Sequence, residues 1–428
     1  MKQPKIYNTE EDLIKWLKYD LKEQKKHISR EKKESQNKVK KEELTLNIGS
    51  KDIKSCDEKI EINFEFDFSA IIKKINIKNN EIYYKVNCAN LIFSKMVDFS
   101  DKKHNNKVVF YNEVKFDNSN FNELTNFVNI SFEKNANFSN TFFNGQTCFR
   151  NILFNCIVDF QLIYISKIKF SNITIKENFN LSIMNIINEK ESYKGAIFNK
   201  VEFENEKSIL NIFHVDINKF SLNNTIINGM VNIKNTEVET ADFNGSVING
   251  GWVNPVKFKV HNFANRESAL FLKNEAYARN NIIDALEYKA KEIELHKKEL
   301  LKNKKDYKKW GDIFSIYLSS LYSDNGLNWI KSIFMTILIT FIFFNIFYIP
   351  DLSQTNIRPC YYKYYFSSLI KYFIPTDYEQ IKCYVDTSVR VNILIKIFGV
   401  IIYFAGKIMF WYVSVQTVQA FRKFSKKE

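Results

Sequence analysis

Between Phe116 and Phe170 a large apolar residue falls at every fifth or sixth position, and few chain geometries tolerate that spacing. Phe116, Phe127, Phe138, Phe149 and Phe160 recur every eleven residues, and Phe121, Phe132, Phe143, Phe154 and Ile165 follow each of them five residues later. In an α-helix a step of five turns the side chain by roughly 140° from the starting face. In one continuous strand a step of five reverses the face and a step of six restores it. A chain that turns a corner after every five or six residues points all of these side chains into one central column, which is a solenoid.

The period tightens to five at Phe243, Ile248, Val253, Phe258 and Phe263, where Gly245, Gly250 and Gly251 read as corner glycines. VDFSD around Phe99, ANFSN around Phe138 and ADFNG around Phe243 resemble the pentapeptide repeat: a small residue, Asn or Asp, a central Phe or Leu, then two polar residues. The resemblance implies a mainly β fold, a right-handed four-sided β-helix with one repeat per side. Two departures stand out. The extra residue in alternate repeats implies coils of 22 rather than 20 residues. The small inward position is often branched (Val114, Val158, Ile168, Val201). Regularity lapses between Phe170 and Phe220, where bulged coils are expected. At nearly 4.8 Å per coil, about seven coils over residues 99–263 make a rod of roughly 35 Å.

Before the solenoid, residues 1–43 read as a charged arm. Thr9 and Asp12 resemble a capping box, and Leu13, Leu17 and Leu21 follow at four-residue steps, so a helix is expected to about His27. The start has no apolar signal core, which predicts a cytoplasmic N-terminus. Residues 44–98 read as a β-rich cap. Ile60, Ile62, Phe64, Phe66 and Phe68 alternate with polar residues, and Asn79-Asn80 is expected to turn a hairpin between Ile77 and Ile82.

After Phe263 the period becomes helical. Residues 264–326 are expected to form a helical linker: a first helix near Arg266–Ala278, then one capped by Asn281 and Asp284 with Ile283, Leu286, Ala290, Ile293 and Leu300 on its apolar face. A short interfacial helix follows, ending at Asn325-Gly326. Residues 327–428 form the membrane domain. Ser332–Ile349 has no charge and suffices for one span, and Val391–Val415 is the second, interrupted by Lys396 and Lys407. The linker and the tail QTVQAFRKFSKKE resemble those of bacterial membrane-bound pentapeptide-repeat proteins, which join the solenoid to two membrane helices. Basic residues crowd the outer flanks of both spans. The positive-inside rule thus predicts an inner-membrane protein with both termini and the solenoid cytoplasmic and loop 350–390 periplasmic.

The net charge of +14 invites a nucleic-acid reading, but residues 99–263 hold 17 Lys and Arg against 16 Asp and Glu, so the solenoid is close to neutral. No nucleic-acid partner is expected, and a DNA-mimic role would need an acidic rod. His27, His104, His214, His261 and His296 are scattered without metal-ligand spacing, and Glu202 and Glu204 are expected to face solvent. No Lys-Ser or Lys-Thr follows the corner glycines, so there is no phosphate loop. No catalytic residue, metal or cofactor is expected. Two functions remain. One is a scaffold whose flat β faces meet a protein partner. The other is a subunit of a two-span channel in which FSSLIKYFIPTD acts as a pore helix. No glycine lies between Pro350 and Arg390, which argues against a potassium-type filter but not against another pore.

Lys396 and Lys407 lie three helical turns apart and share a face with Tyr403 and Ser414, which is expected to meet protein or water, in a pore or a homo-oligomer, rather than lipid. Cys360 and Cys383 both lie in the loop predicted to face an oxidising compartment and are candidates for a disulfide, whereas Cys56, Cys88, Cys148 and Cys156 are expected to stay reduced.

Overall fold

The computed structural model describes residues 5–31, 44–49, 59–77, 81–101, 106–184, 195–302, 310–352, 358–374, 376, 378, 381–382 and 393–421. The chain divides into two compact units, Met1–Glu275 and Ala276–Glu428.

The first unit is a strand-rich, solenoid-like sheet of 23 strands, paired in parallel. Val114 pairs with Ala136 and Ala136 with Val158, and Phe132 pairs with Phe154, an offset of 22 residues. The phenylalanines therefore stack on their own images one layer on. Four columns result: Phe93–Phe121–Phe143, Phe99–Phe127–Phe149–Phe170–Phe198, Phe110–Phe132–Phe154 and Phe116–Phe138–Phe160. Within a column the rings lie nearly parallel at 4.4–5.3 Å. Between columns they meet edge to face, as Phe127 and Phe138 do at 5.6 Å, the arrangement that the ring quadrupole favours. Phe116, Phe121, Phe127, Phe132, Phe138, Phe143, Phe149, Phe154 and Phe160 are fully buried, and Phe243, Phe258 and Phe263 are at most 8% exposed.

The five-then-six rhythm has a backbone cause. Asn118, Asn129, Asn140, Asn151, Leu162 and Asn172 all adopt positive φ, between 53° and 57°. They recur every ten or eleven residues, so the sixth residue of alternate repeats is a left-handed corner. Asn tolerates that conformation better than other L-residues do. Its side chain is used as well: Asn151 donates to Asn129 (2.8 Å) and Asn172 to Asn151 (3.0 Å), a ladder along the outside. Leu162 is the exception, exposed and strained. Leu162→Asn is expected to raise stability by about 1 kcal/mol, seen as a higher urea midpoint with unchanged slope. Of the corner glycines, Gly245 and Gly250 have positive φ. Gly251 serves differently, since a Cβ there would lie 2.2 Å from the Gly229 carbonyl oxygen of the layer below.

The number of residues per layer rises where the repeat lapses. Lys167 pairs with Gly195, Asn180 with Ile209 and Gly195 with Lys219, offsets of 28, 29 and 24, before Met230 and Trp252 restore 22.

The N-terminal region corrects two expectations. The alternation at Ile60–Phe68 is broken into strands Ile60–Ile62 and Phe66–Asp67, after which helix α2 (Phe68–Lys74) begins, its first turn capped by the Asp67 carboxylate accepting from Ala70 N (2.9 Å). The hairpin is not formed: Ile77 lies in no strand, and Glu81–Ile82 pairs in parallel with Val109–Phe110, while Asn79-Asn80 falls outside the described residues. These strands instead extend the same parallel sheet toward the N-terminus, at offsets of 28 and 31. Helix α1 (Glu10–Glu31) is not a free arm. Leu13, Trp16 and Leu17 are buried, Trp16 Nε1 donates to Asn47 O (3.0 Å), and Gln24 bonds the Thr45 backbone in both directions. The capping box forms, with Thr9 Oγ1 accepting from Asp12 N and donating to its carboxylate.

The other end of the sheet is closed by α3 (Arg266–Ala278). Phe271 stacks on Phe243 at 5.2 Å, and the Phe243 N–H, which a further layer would take, donates to Ser268 Oγ at 2.7 Å.

The second unit is helical: α4 (Ile282–Lys302), α5 (Trp310–Ser323), α6 (Trp329–Leu352), α7 (Arg358–Tyr372) and α8 (Ile393–Phe421). Asn281 caps α4 as expected, accepting from Asp284 N. Of its expected face, Ala290 and Leu300 are buried and Leu286 and Ile293 half-buried. Ala285 and Tyr288 are buried as well, and Ile283, near the start of the helix, is half exposed. In α6 and α8, Trp329–Phe347 and Ile397–Val418 are long and apolar enough to cross a membrane, and only 28% of each is buried. Their open faces carry Phe334, Phe341, Ile397, Ile401 and Ile408, unlike the core helix of a soluble protein.

Candidate functional site

The most unusual side chain of the second unit is Lys407, buried near the middle of the Ile397–Val418 segment. A cation in such a setting needs acceptors. It finds two at the end of α7, donating to Tyr372 O (2.8 Å) and Ile374 O (2.8 Å). Among the described residues no backbone N–H donates to these carbonyls, which carry the negative end of the helix dipole. Two aromatic faces complete the surroundings, Tyr372 with its ring centre 4.6 Å from Nζ and Tyr403 at 5.3 Å.

The end of α7 is held between the two apolar helices. Tyr372 is fully buried, packed with Phe344, Phe347 and Tyr403, and its hydroxyl donates to Tyr403 O (3.4 Å). Gly406 makes the space, since a Cβ there would lie 2.0 Å from the Tyr372 hydroxyl and 2.8 Å from Phe343 Cβ. Irregular backbone at membrane depth is tolerated only where protein or water satisfies it, and Lys407 supplies the donors. Farther along, Ser319 and Ser323 both donate to the buried Gln416 side chain (3.2 and 3.1 Å), joining α5 to α8. Thr336 and Thr417 meet at 3.5 Å between α6 and α8.

Of the residues that the sequence placed on one face, Tyr403 and Lys407 come together, and they face protein of the same chain. Ser414 is half-buried and apart from the cluster, and the Lys396 side chain falls outside the described residues. Tyr372 and Gly406 had no periodic signal. A mid-span glycine one residue from a mid-span lysine was the available hint.

The disulfide assignment lies outside the described residues, which include neither Cys383 nor the Cys360 side chain; Cys56 also falls outside. Cys88, Cys148 and Cys156 are free thiols. Cys88 and Cys156 are buried, and desolvation pushes the Cys156 thiol up to about 12 and the Cys88 thiol up as well. A thiol near 12 is only ~10⁻⁴ thiolate at pH 8. Maleimide should therefore modify half-buried Cys148 first, with Cys88 and Cys156 reacting only in urea, as peptide mass mapping would show.

Among the described residues no group of three or more His, Cys, Asp or Glu side chains could hold a metal ion. His261 meets Glu237, which also takes Lys259 at 2.7 Å, on the exposed side of the last strands. His214 occupies a left-handed corner. No family model, curated protein or solved structure matches the chain.

Proposed function

We propose that the protein is a membrane-anchored, pentapeptide-repeat-like scaffold. In this reading the parallel sheet is a right-handed four-sided β-helix, whose outer faces present rows of side chains to a protein partner, and the two apolar helices fix it to the inner membrane with the sheet cytoplasmic. The observation that carries the reading is the layer-on-layer repetition of outward residues. Asn129, Asn151 and Asn172 bond one another in one row, and Asn211 and Asn232 at 2.9 Å in another. Identical rows at a fixed spacing suit an extended partner.

One observation favours a channel. The end of α7 lies between the two apolar helices, as a pore helix would. Yet its carbonyl end is already occupied by Lys407, a cation tethered within the same chain. A passing ion would have to displace that ammonium, which weighs toward the scaffold. Reconstituted into liposomes, the purified protein should give no flux of potassium, sodium or chloride above protein-free vesicles. Flux of any of them would overturn the scaffold reading in favour of the channel.

A further inference from the structure

Helix α1 buries one face against the first strands and turns a second toward an open concavity of about 530 Å³. Lys18, Lys22, Lys25, Lys26 and Arg30 line it, over a floor of Leu21 from α1 and Ile75 from the end of α2. We propose that this concavity binds a phosphate-rich anion carrying at least two phosphate groups.

The five cations on this face share one outward carboxylate, Glu23, which bonds Lys26 and attracts Lys22 and Arg30. The Asp20 carboxylate is turned inward, to Gln24 and Asn47. Glu23 is engaged by Lys26 at 2.7 Å. Among the described residues, Lys18, Lys22, Lys25 and Arg30 make no ion pair. Like charges four apart on a helix repel, so the cluster is unfavourable until an anion joins it. Complementing the helix dipole accounts for cations in the last turn only. Lys18 and Lys22 stand two to three turns earlier.

Geometry sets the ligand class. From Lys18 to Arg30 the helix rises by roughly 18 Å. One phosphate could reach only part of that row, whereas a polyphosphate, or neighbouring phosphorylated headgroups, could use its whole length. The volume is that of a small-molecule site. Among the described residues no aromatic side chain lines it to stack on a nucleobase. The chain that follows continues basic in sequence, with Lys32, Lys33, Lys38, Lys40 and Lys41 against Glu34, Glu42 and Glu43. The same protein carries two helices able to cross a membrane, so phospholipid headgroups and soluble phosphates are both available sources.

The test is lysine acetylation footprinting of the full-length protein in nanodiscs, read by mass spectrometry. Three conditions are compared: phosphatidylcholine discs, the same discs with inorganic tripolyphosphate, and phosphatidylglycerol discs. Acetylation of Lys18, Lys22 and Lys25 should slow about tenfold when the anion stands at ~10 times its Kd. The exposed Lys115, Lys207 and Lys219 should be unaffected. Protection in phosphatidylglycerol discs assigns a lipid headgroup, and protection by tripolyphosphate alone assigns a soluble ligand. In the Lys22→Gln, Arg30→Gln double variant, protection at Lys18 and Lys25 should disappear. Unchanged acetylation in both anionic conditions overturns the proposal, and so does uniform slowing of all lysines or protection that persists in the double variant.

Discussion

Phe138→Ala is expected to cost about 3–5 kcal/mol, among the largest losses a single truncation can cause. The ring is fully buried, stacked on Phe116 at 4.7 Å and Phe160 at 4.4 Å, and edge-on to Phe127 and Phe149. Removing it leaves a void in the middle of a column, where the layers above and below are tied by backbone hydrogen bonds and cannot collapse into it. Phe142 is the contrast. It is half-buried on the outside of the same layer and stacks on Tyr164 at 4.2 Å, so Phe142→Ala should cost only about 1 kcal/mol. Urea unfolding of a fragment covering residues 1–280 would compare the two. Equal losses would mean that the columns do not carry the stability of the sheet.

The second large effect is expected at Lys407. Lys407→Met keeps the length and apolar stem of the side chain but removes the donors for Tyr372 O and Ile374 O. Each buried carbonyl left without a partner costs about 1–3 kcal/mol. Relief of the buried ammonium offsets part of this, so a net loss of about 2–4 kcal/mol is expected in the seating of α7. Amide exchange should read it locally: residues 366–374 should exchange about 30-fold faster or more. Exchange in the apolar segments of α6 and α8 should change little. Gly406→Ala should give the same local signature by another route, because its methyl group would collide with the Tyr372 hydroxyl while Lys407 remains. If neither variant changes exchange in α7, that helix is not held by this cluster.

The two sites differ in how far the sequence exposed them. The Phe116–Phe160 ladder was legible because parallel pairing at a 22-residue offset returns one residue type to the same place in each layer. The left-handed corners repeat on the same period, as asparagines. The first layers were harder to read. Their offsets of 28 and 31 accommodate α2 and other insertions, and an insertion destroys the period while leaving the pairing intact. The alternation at Ile60–Phe68 then imitated a plain strand, although Asp67 was poised to cap a helix. In α4 the expected face was right at Ala290 and Leu300 and missed Ala285 and Tyr288, which extend it to one side. The Lys407 cluster joins residues more than thirty positions apart through backbone carbonyls, which carry no sequence signature. Only the cost of a lysine in an apolar segment pointed to it.

The closed ends of the sheet have a further consequence. At one end α1 packs on the first strands, and at the other Ser268 takes the N–H that another layer would claim. Both contacts occupy backbone groups that would otherwise pair with another chain, which disfavours lengthening the sheet by stacking copies end to end. Lengthening from within needs neither end to open. Duplicating one 22-residue layer would leave both terminal helices where they are and move them apart by roughly 4.8 Å. Reach thus becomes a quantity that gene duplication can set in fixed increments, like the divisions on a ruler whose two end-stops never change.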